Sequence, residues 1–201
     1  MKKTLILLAA LLMAGVSASA QISIGFGPAT RIYYSKTDSR INAVKDVKDV
    51  QYTVGVQVSF EDSRRVSDAF GYSAGIDFGT YKKSDYFASE RGLSEMYLDI
   101  PVRAKFYVPF SDDFQMIFFG GVVPSLCVGS HVLTGSEKTS RFGERSNYTR
   151  YDVLAGGGLG FEIVERIKIA LSYDHGLFDR INDDITDLHV AAAKLTISYM
   201  F

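Results

Sequence analysis

Apolar residues recur at every second position in many separate segments of this chain. In VQYTVGVQVSF, residues 50–60, every second residue from Val50 to Phe60 is apolar, and the residues between them are small or polar. Alternation with period two places the two sets on opposite faces of a β-strand. A helix would mix both sets around its circumference. The pattern therefore predicts a strand with one apolar and one polar face.

The same alternation predicts eight strands, joined by connectors that are long and short in turn. Long connectors at one end and tight turns at the other are typical of an antiparallel meander. The predicted strands are residues 22–34, 50–60, 70–80, 94–108, 114–129, 150–163, 166–174 and 188–201. The long connectors are predicted at 35–49, 81–93, 130–149 and 175–187, and the short ones at 61–69, 109–113 and 164–166.

One predicted strand does not show which of its faces is apolar. FQMIFFGGVVPSLCVG, residues 114–129, is apolar at both odd and even positions, so its facing is left open. Proline cannot donate to the hydrogen-bond ladder of a sheet, and Pro124 therefore predicts an irregularity within this strand.

Alternation alone fits a soluble barrel or sandwich as well as a transmembrane barrel, which turns its apolar face toward lipid. The polar faces here are rich in glycine and in charges of both signs, as suits a narrow barrel interior. The apolar faces have about the 9–11 residues that cross hydrocarbon at a tilt. Aromatic residues near strand ends resemble two interfacial girdles: Tyr33, Tyr34, Phe60, Phe70, Tyr107, Tyr199 and Phe201.

We therefore predict an all-β fold, an eight-stranded antiparallel up-and-down transmembrane β-barrel with its apolar face outward and a polar, charged lumen. The first 20 residues have the lysines, apolar run and small-residue site of a secretory signal peptide. Their apolar run is shorter than the ~20 residues of a spanning helix. We expect cleavage after Ala20, with Ala18 and Ala20 as the recognised small residues, and a barrel domain at 21–201 in the outer membrane.

The last residues, KLTISYMF, alternate apolar and polar side chains up to a terminal aromatic residue. This ending resembles the C-terminal signal through which bacterial outer-membrane barrels engage the assembly machinery. Closure of a barrel requires the last strand to pair with the first, so that no edge remains. The predicted assembly signal is Leu195, Ile197, Tyr199 and Phe201.

EMYLDIPVRAKFYV, residues 95–108, resembles the YLEIPL–LKY stretch of the PorT-like outer-membrane β-barrel family. FFGGVVPSLCVG, which follows, is similar to the glycine-containing strand of that family, and small barrels of the OmpA/OmpX type share the architecture. The resemblance implies the fold and the location more than an activity, since some members serve secretion or gliding. The matching residues are Tyr97, Leu98, Asp99, Ile100, Pro101, Lys105 and Phe106.

Strand parity places ten charged residues, five of each sign, on the polar faces. Ten charges cannot be buried unpaired in a narrow interior. Eight strands leave little more than side-chain room inside, so balanced charge favours ion pairing over a selective pore lining. The predicted lumen charge network is Arg31, Asp77, Asp99, Arg103, Lys105, Asp152, Glu162, Lys168, Asp174 and Lys194.

No residue pattern predicts catalysis, a cofactor or a metal. AGGGLGF, residues 155–161, superficially resembles a nucleotide-binding loop, but no helix pattern follows it and its glycines keep strand parity. Cys127 is interpreted as a small buried hydrophobic residue. The three histidines lack metal-ligand spacing, and nothing orders a histidine, a serine and an acid for hydrolysis. These histidines are His131, His175 and His189.

The balance of charge also limits the partners. Without the two lysines of the predicted signal peptide, 20 basic residues stand against 23 acidic ones, which does not predict a nucleic-acid-binding face. We predict a non-enzymatic envelope structural or adhesion component, or an accessory subunit of a secretion or assembly machine. The alternatives are a narrow porin-like channel for small solutes and a lipid- or peptide-modifying enzyme. Expected partners are outer-membrane lipid, the assembly machinery and a protein bound by the long extracellular loops.

Overall fold

The computed structural model describes residues 20–34, 51–84, 91–134, 137–142, 148–164, 166–180 and 188–201. The predicted signal peptide through residue 19, including Ala18, and much of the long connectors lie outside the described residues. Among the described residues no helix is long and apolar enough to cross a membrane. The strands are β1 (Ala20–Tyr34), β2 (Gln51–Arg65), β3 (Phe70–Ser84), β4 (Arg91–Asp99), β5 (Val102–Ser111), β6 (Phe114–Thr134), β7 (Glu137–Ser140), β8 (Tyr151–Ile163), β9 (Ile167–Gly176) and β10 (His189–Met200).

The strands form one closed antiparallel ring. β1 pairs with β2 on one side and with β10 on the other, and each remaining long strand pairs with its neighbours in chain order. β4 and β5 both lie between β3 and β6, and they follow each other across Ile100 and Pro101. Counting this pair as one, the ring has eight strand positions. The predicted eight-stranded antiparallel barrel is confirmed, and the β1–β10 pairing closes it without an edge.

Side chains on the outside are apolar and those on the inside are largely polar. Phe26 is 65% exposed on the outer face, whereas Arg31 is 1% exposed inside the ring. A soluble protein would bury the first and expose the second. The observed distribution fits a barrel surrounded by lipid, with its lumen filled by polar side chains.

The structure resolves the facing of β6. Ile117, Val123 and Cys127 are buried inside, whereas Phe118 and Val122 are exposed outside. The irregularity predicted within this strand is confirmed by a register shift between Cys127 and Gly129. Pro124 itself pairs in regular register with Val153 of β8.

The register shift in β6 lies four residues beyond Pro124, where Met96 pairs with Gly129 and Tyr97 with Cys127. The carbonyl oxygen of Pro124 accepts a hydrogen bond from Ile100 N at 2.8 Å, at the break between β4 and β5. The side of Pro124 that lacks an N–H therefore faces this break, and the regular ladder to β8 continues past it.

Several strands are longer than predicted. β2 continues through Arg65 and β3 through Ser84, and the predicted connector 130–149 contains the end of β6 and all of β7. The prediction of a plain connector there was wrong. Apolar alternation marks only the part of a strand that faces lipid, whereas backbone pairing continues beyond it without an apolar face.

Two of the predicted girdle residues point inward. Tyr33 and Tyr107 are only 4% and 3% exposed, so their assignment to the girdle was wrong. They keep the parity of Arg31 and Lys105, two residues earlier on the same strands, and therefore belong to the lumen. Four of the other predicted girdle residues are exposed on the outside of the ring: Phe60, Phe70, Tyr199 and Phe201.

Glycines on the inner face permit close approach of neighbouring strands. A Cβ atom at Gly27 would lie 1.9 Å from the carbonyl oxygen of Leu195, and one at Gly55 would lie 1.9 Å from that of Thr80. No side chain fits at such a distance. The glycine content of the polar faces thus reflects the tight curvature of a small barrel.

Candidate functional site

All ten predicted lumen charges lie inside the barrel, and each is at most 7% exposed. The central carboxylate is that of Asp99, at the end of β4. It accepts hydrogen bonds from Arg31 Nη2 at 2.5 Å and from Lys194 Nζ at 2.7 Å. Its second oxygen accepts one from Ser125 Oγ at 2.6 Å. Four strands of the ring are therefore tied together at one carboxyl group.

The central group extends to a second carboxylate and a second arginine. Lys194 Nζ also donates to Asp77 at 2.8 Å, and Ser59 Oγ donates to the other oxygen of Asp77 at 2.6 Å. Arg103 donates to Asp174 at 2.7 Å across the lumen. Three cations and three carboxylates thus neutralise one another at mid-barrel: Arg31, Arg103, Lys194, Asp77, Asp99 and Asp174.

A second level lies nearer the short-turn end. Lys105 Nζ contacts Glu61 at 2.6 Å, and Lys168 Nζ pairs with the same oxygen of Glu61. Ser63 Oγ accepts from Lys105 at 2.6 Å and donates to Glu61 at 2.8 Å. The predicted network lacks Glu61 because the apolar alternation ends at Phe60, although Glu61 continues the polar face of β2.

Within the described residues, two predicted acids lie outside these close ion pairs. Glu162 lies 3.6 Å from Arg65 Nη2, whose side chain is 39% exposed. Asp152 instead accepts hydrogen bonds from the backbone N–H of Val153 at 2.7 Å and of Phe178 at 3.2 Å. Asp152 therefore anchors the segment that follows β9 and is not part of the mid-barrel charge group.

A third cluster fills the lumen near the long-connector end. Its centre is Glu95, which is 0% exposed and pairs with the hydroxyl of Tyr33. Ser130 Oγ donates to Glu95 at 2.8 Å, and Tyr97 OH lies 3.3 Å from it. Arg141 lies 3.6 Å away. Only the period of two indicated that Glu95 faces the lumen, since it lies four residues before Asp99 on the same face of the strand.

Arg180 covers this cluster from the segment after β9. Its side chain is 0% exposed, and its Nη2 donates to Tyr97 OH at 3.4 Å. Its guanidinium also lies 5.1 Å from the ring centre of Tyr148. Burial raises the pKa of Tyr148 above its ordinary value. No alternation marks Arg180, so sequence reasoning had no signal for it.

The backbone around Arg180 also binds the neighbouring connector. Thr149 N donates to Arg180 O at 2.7 Å, and Arg180 N donates to Leu188 O at 2.8 Å. Segments 148–150 and 177–180 therefore meet across the mouth of the barrel.

The remaining sequence candidates take ordinary structural places. The glycines of 155–161 lie within β8, and Cys127 is 0% exposed inside the barrel. Tyr34 stacks between His175 and His189, with ring centres 5.2 and 5.6 Å apart. Within the described part of the chain, no three His, Cys, Asp or Glu side chains are grouped as metal ligands.

The predicted assembly signal lies on the lipid face of β10. Leu195, Ile197, Tyr199 and Phe201 are all exposed, and Phe201 most of all at 73%. Tyr199 pairs with Ile24 of β1, and Phe201 N donates to Ile22 O at 2.9 Å. These residues complete the seam between the last strand and the first.

A closed ring with apolar side chains outside and ion pairs inside is the architecture of an outer-membrane barrel. Residues 6–201 match the family described as "Outer membrane protein beta-barrel domain". The chain belongs to this family. It is therefore an outer-membrane protein, and the predicted location is confirmed. In such barrels the short turns face the periplasm and the longer loops face outward.

Solved structures of small barrels share this fold. The attachment invasion locus protein Ail of Yersinia pestis is 14% identical, with 91% of this chain and 99% of that chain covered and a TM-score of 0.54. Neisserial surface protein A is 10% identical, with coverages of 92% and 98% and a TM-score of 0.52. The outer membrane enzyme PagL is 8% identical, with coverages of 89% and 97% and a TM-score of 0.50. A comparison with curated proteins finds no match.

Proposed function

We propose that this protein is a non-enzymatic component of the outer membrane that binds a protein partner at its extracellular end. Such a barrel serves as an adhesion or envelope component, or as an accessory subunit of a secretion or assembly machine. The observation that carries the proposal is a part of the sheet that continues beyond the membrane-spanning ring. We call it the sheet extension and define it as β7 with residues 130–134, 91–95 and 81–84.

The length of β6 supports an extension beyond the lipid. Its 21 residues correspond to about 70 Å of extended chain at ~3.3 Å per residue. Only ~9–11 tilted residues are needed to cross the hydrocarbon. About half of β6 is therefore available outside it, and β3 and β4 accompany β6 to Ser84 and Arg91.

β7 is the outermost strand of the sheet extension. Its four side chains, Glu137 to Ser140, are all exposed, and among the described residues it pairs only with β6. An edge strand offers backbone N–H and C=O groups to an extended segment of another protein. Polar side chains beside this edge keep it soluble before the partner binds.

The filled interior supports a binding role over the channel alternative. The ion pairs around Asp99 span the lumen, and the Arg180 cluster lies between them and the outside. A solute path would have to separate paired charges that are almost completely buried, which is costly.

The resemblance to PorT-like barrels is a finer part of this proposal. Two of the matching residues lie at notable places in the barrel, since Asp99 is the central carboxylate and Pro101 lies in the break between β4 and β5.

Site-specific photo-crosslinking tests the binding role. A photoreactive residue at Thr139, on exposed β7, is expected to form an adduct with a discrete extracellular protein in native outer membranes. The matched control is Asp112, which is exposed in the short turn after β5 and faces the periplasm. We expect no such adduct from position 112.

Two results would contradict the proposal. One is the absence of a specific adduct at Thr139 under conditions in which the protein is folded and abundant. The other is discrete conductance by the purified protein in planar bilayers, which would favour the channel alternative.

We also propose that Leu195, Ile197, Tyr199 and Phe201 are the residues that engage the assembly machinery. Deletion of Phe201 is expected to lower the folded fraction in cells several-fold, while refolding into lipid in vitro is preserved. Phe201 is 73% exposed, so its removal costs the finished barrel little packing. The heat-induced gel-mobility shift of folded barrels measures both fractions. Normal folding in cells without Phe201 would count against an assembly role.

A further inference from the structure

A polar cavity of about 60 Å³ lies in the periplasmic half of the lumen. Its wall includes both central and periplasmic-level charges, among them Glu61, Asp77, Arg103, Lys105, Lys168 and Lys194. A single water needs on the order of 10–15 Å³ of such space. The cavity is therefore large enough for a small ion together with water.

The charges that face this cavity do not cancel. Arg103 and Lys194 are neutralised at mid-barrel by Asp174, Asp77 and Asp99. At the periplasmic level, Lys105 and Lys168 share one carboxylate, that of Glu61. The cavity thus has one cation in excess at this level.

The neighbouring acids do not remove this excess. Glu162 is the other acid of the periplasmic level, but it does not line the cavity and lies 3.6 Å from a third cation, Arg65. Asp77 does line the cavity, but it accepts from Lys194 and Ser59. With Arg65 included, three cations face two carboxylates.

Hydrogen-bond donors are also available at the cavity wall. An ammonium group has three N–H donors, and within the described residues Lys168 has Glu61 as its acceptor. Thr196 Oγ1 accepts from Gln57 at 2.8 Å, so its own hydrogen is left to donate. An anion placed here would meet donors and an excess positive charge at once.

The site is reachable from the periplasmic end. The side chain of Asp99 is 3% exposed at mid-barrel, that of Glu61 is 17% exposed, and that of Arg65 is 39% exposed. Glu61 and Arg65 are therefore more exposed than the central ion pairs, whereas Lys105, Lys168 and Glu162 beside them are at most 9% exposed. The central level closes the other side of the cavity.

We propose that this cavity binds one small inorganic anion of about the size of chloride, held by Lys168 and Lys105. The anion supplies the negative charge that the periplasmic level lacks, and water fills the remaining space. The site is distinct from the sheet extension and does not depend on the proposed partner. Its closed inner side makes it a structural binding site and not a step in transport.

Urea unfolding in lipid vesicles tests the proposal. At constant ionic strength, replacing sodium gluconate by sodium chloride is expected to raise the unfolding midpoint of the unaltered protein in a saturable manner. Chloride at 100 times its dissociation constant would raise the folded-to-unfolded ratio about 100-fold. Gluconate is too large for the cavity and serves as the reference anion.

The variant Lys168→Gln leaves Lys105 and Glu61 as a one-to-one pair, so it is expected to fold and to lose the chloride effect. Lys168→Arg keeps the positive charge and should retain the chloride effect. Arg166→Gln removes a charge from an exposed periplasmic turn and should leave the effect unchanged. Line broadening of bromide in ⁸¹Br NMR measures anion binding to the unaltered folded protein directly. This measurement does not depend on whether a variant folds.

Two outcomes would overturn the anion site. One is that chloride does not change the unfolding midpoint of the unaltered protein and that this protein does not broaden the bromide signal. That result is expected if one of the two lysines is neutral. The other is a chloride effect that persists in Lys168→Gln, which would place the anion elsewhere.

Discussion

Asp99→Ala is expected to destabilise the folded barrel by about 3–5 kcal/mol, because it leaves buried charges without their partner. Arg31 loses its 2.5 Å contact, Lys194 keeps Asp77 as its one carboxylate partner among the described residues, and Ser125 loses its acceptor. Among the described residues no side chain of the mid-barrel level is free to replace the carboxylate, and the side chains of Arg31 and Asp99 are only 1% and 3% exposed. The measurement is the free energy of unfolding by urea in lipid vesicles, followed by far-UV circular dichroism.

The matched control is Asp68→Ala, which removes the same residue type from the exposed turn between β2 and β3. A change at such a site is usually within about 0.5 kcal/mol. Equal unfolding free energies for the two variants would show that the lumen is wet enough to solvate Arg31 and Lys194 without Asp99.

Ile197→Arg is expected to destabilise the barrel by about 2–4 kcal/mol, because it places a charge in the apolar band of the lipid face. Ile197 is 42% exposed on the outside of β10 and pairs with Ile169 of β9 and Phe26 of β1. No acidic side chain is paired with it on either neighbouring strand. The free energy of unfolding in lipid vesicles measures the effect.

Ile197→Ala is the reference for this prediction, since it removes the same side chain without adding a charge. A second comparison is Phe201→Arg, four residues nearer the periplasmic interface, where the cost of an arginine falls to about 0–1 kcal/mol. If Ile197→Arg were no less stable than Ile197→Ala, the outer face of β10 would not be in hydrocarbon.

The side-chain period of a strand made the facing of the lumen residues predictable. Parity placed Asp99 and Lys194 on the inner face, and both are buried there. Tyr33 and Tyr107 were assigned outward against that same parity, because their aromatic character suggested an interface. Where composition and parity disagreed, parity described the structure.

The sequence could not predict which charged residues pair with each other in the lumen. Arg31 meets Asp99 from 68 residues away, and Lys168 meets Glu61 from 107 residues away. Such contacts depend on the stagger of eight strands and on the closure of the ring. Arg180 was missed for a related reason, since it reaches the lumen from an irregular segment that carries no period.

The sequence by itself determined the class of fold, the closure by the last strand and the inward or outward direction of most side chains. A two-residue period is a local property, and each segment of the sequence shows it independently of the others. Only the tertiary structure decided the facing of β6, the break after Asp99, the sheet extension and the partner of each buried charge. These depend on which strands are neighbours and in what register, and register is fixed by the whole ring and not by any one strand.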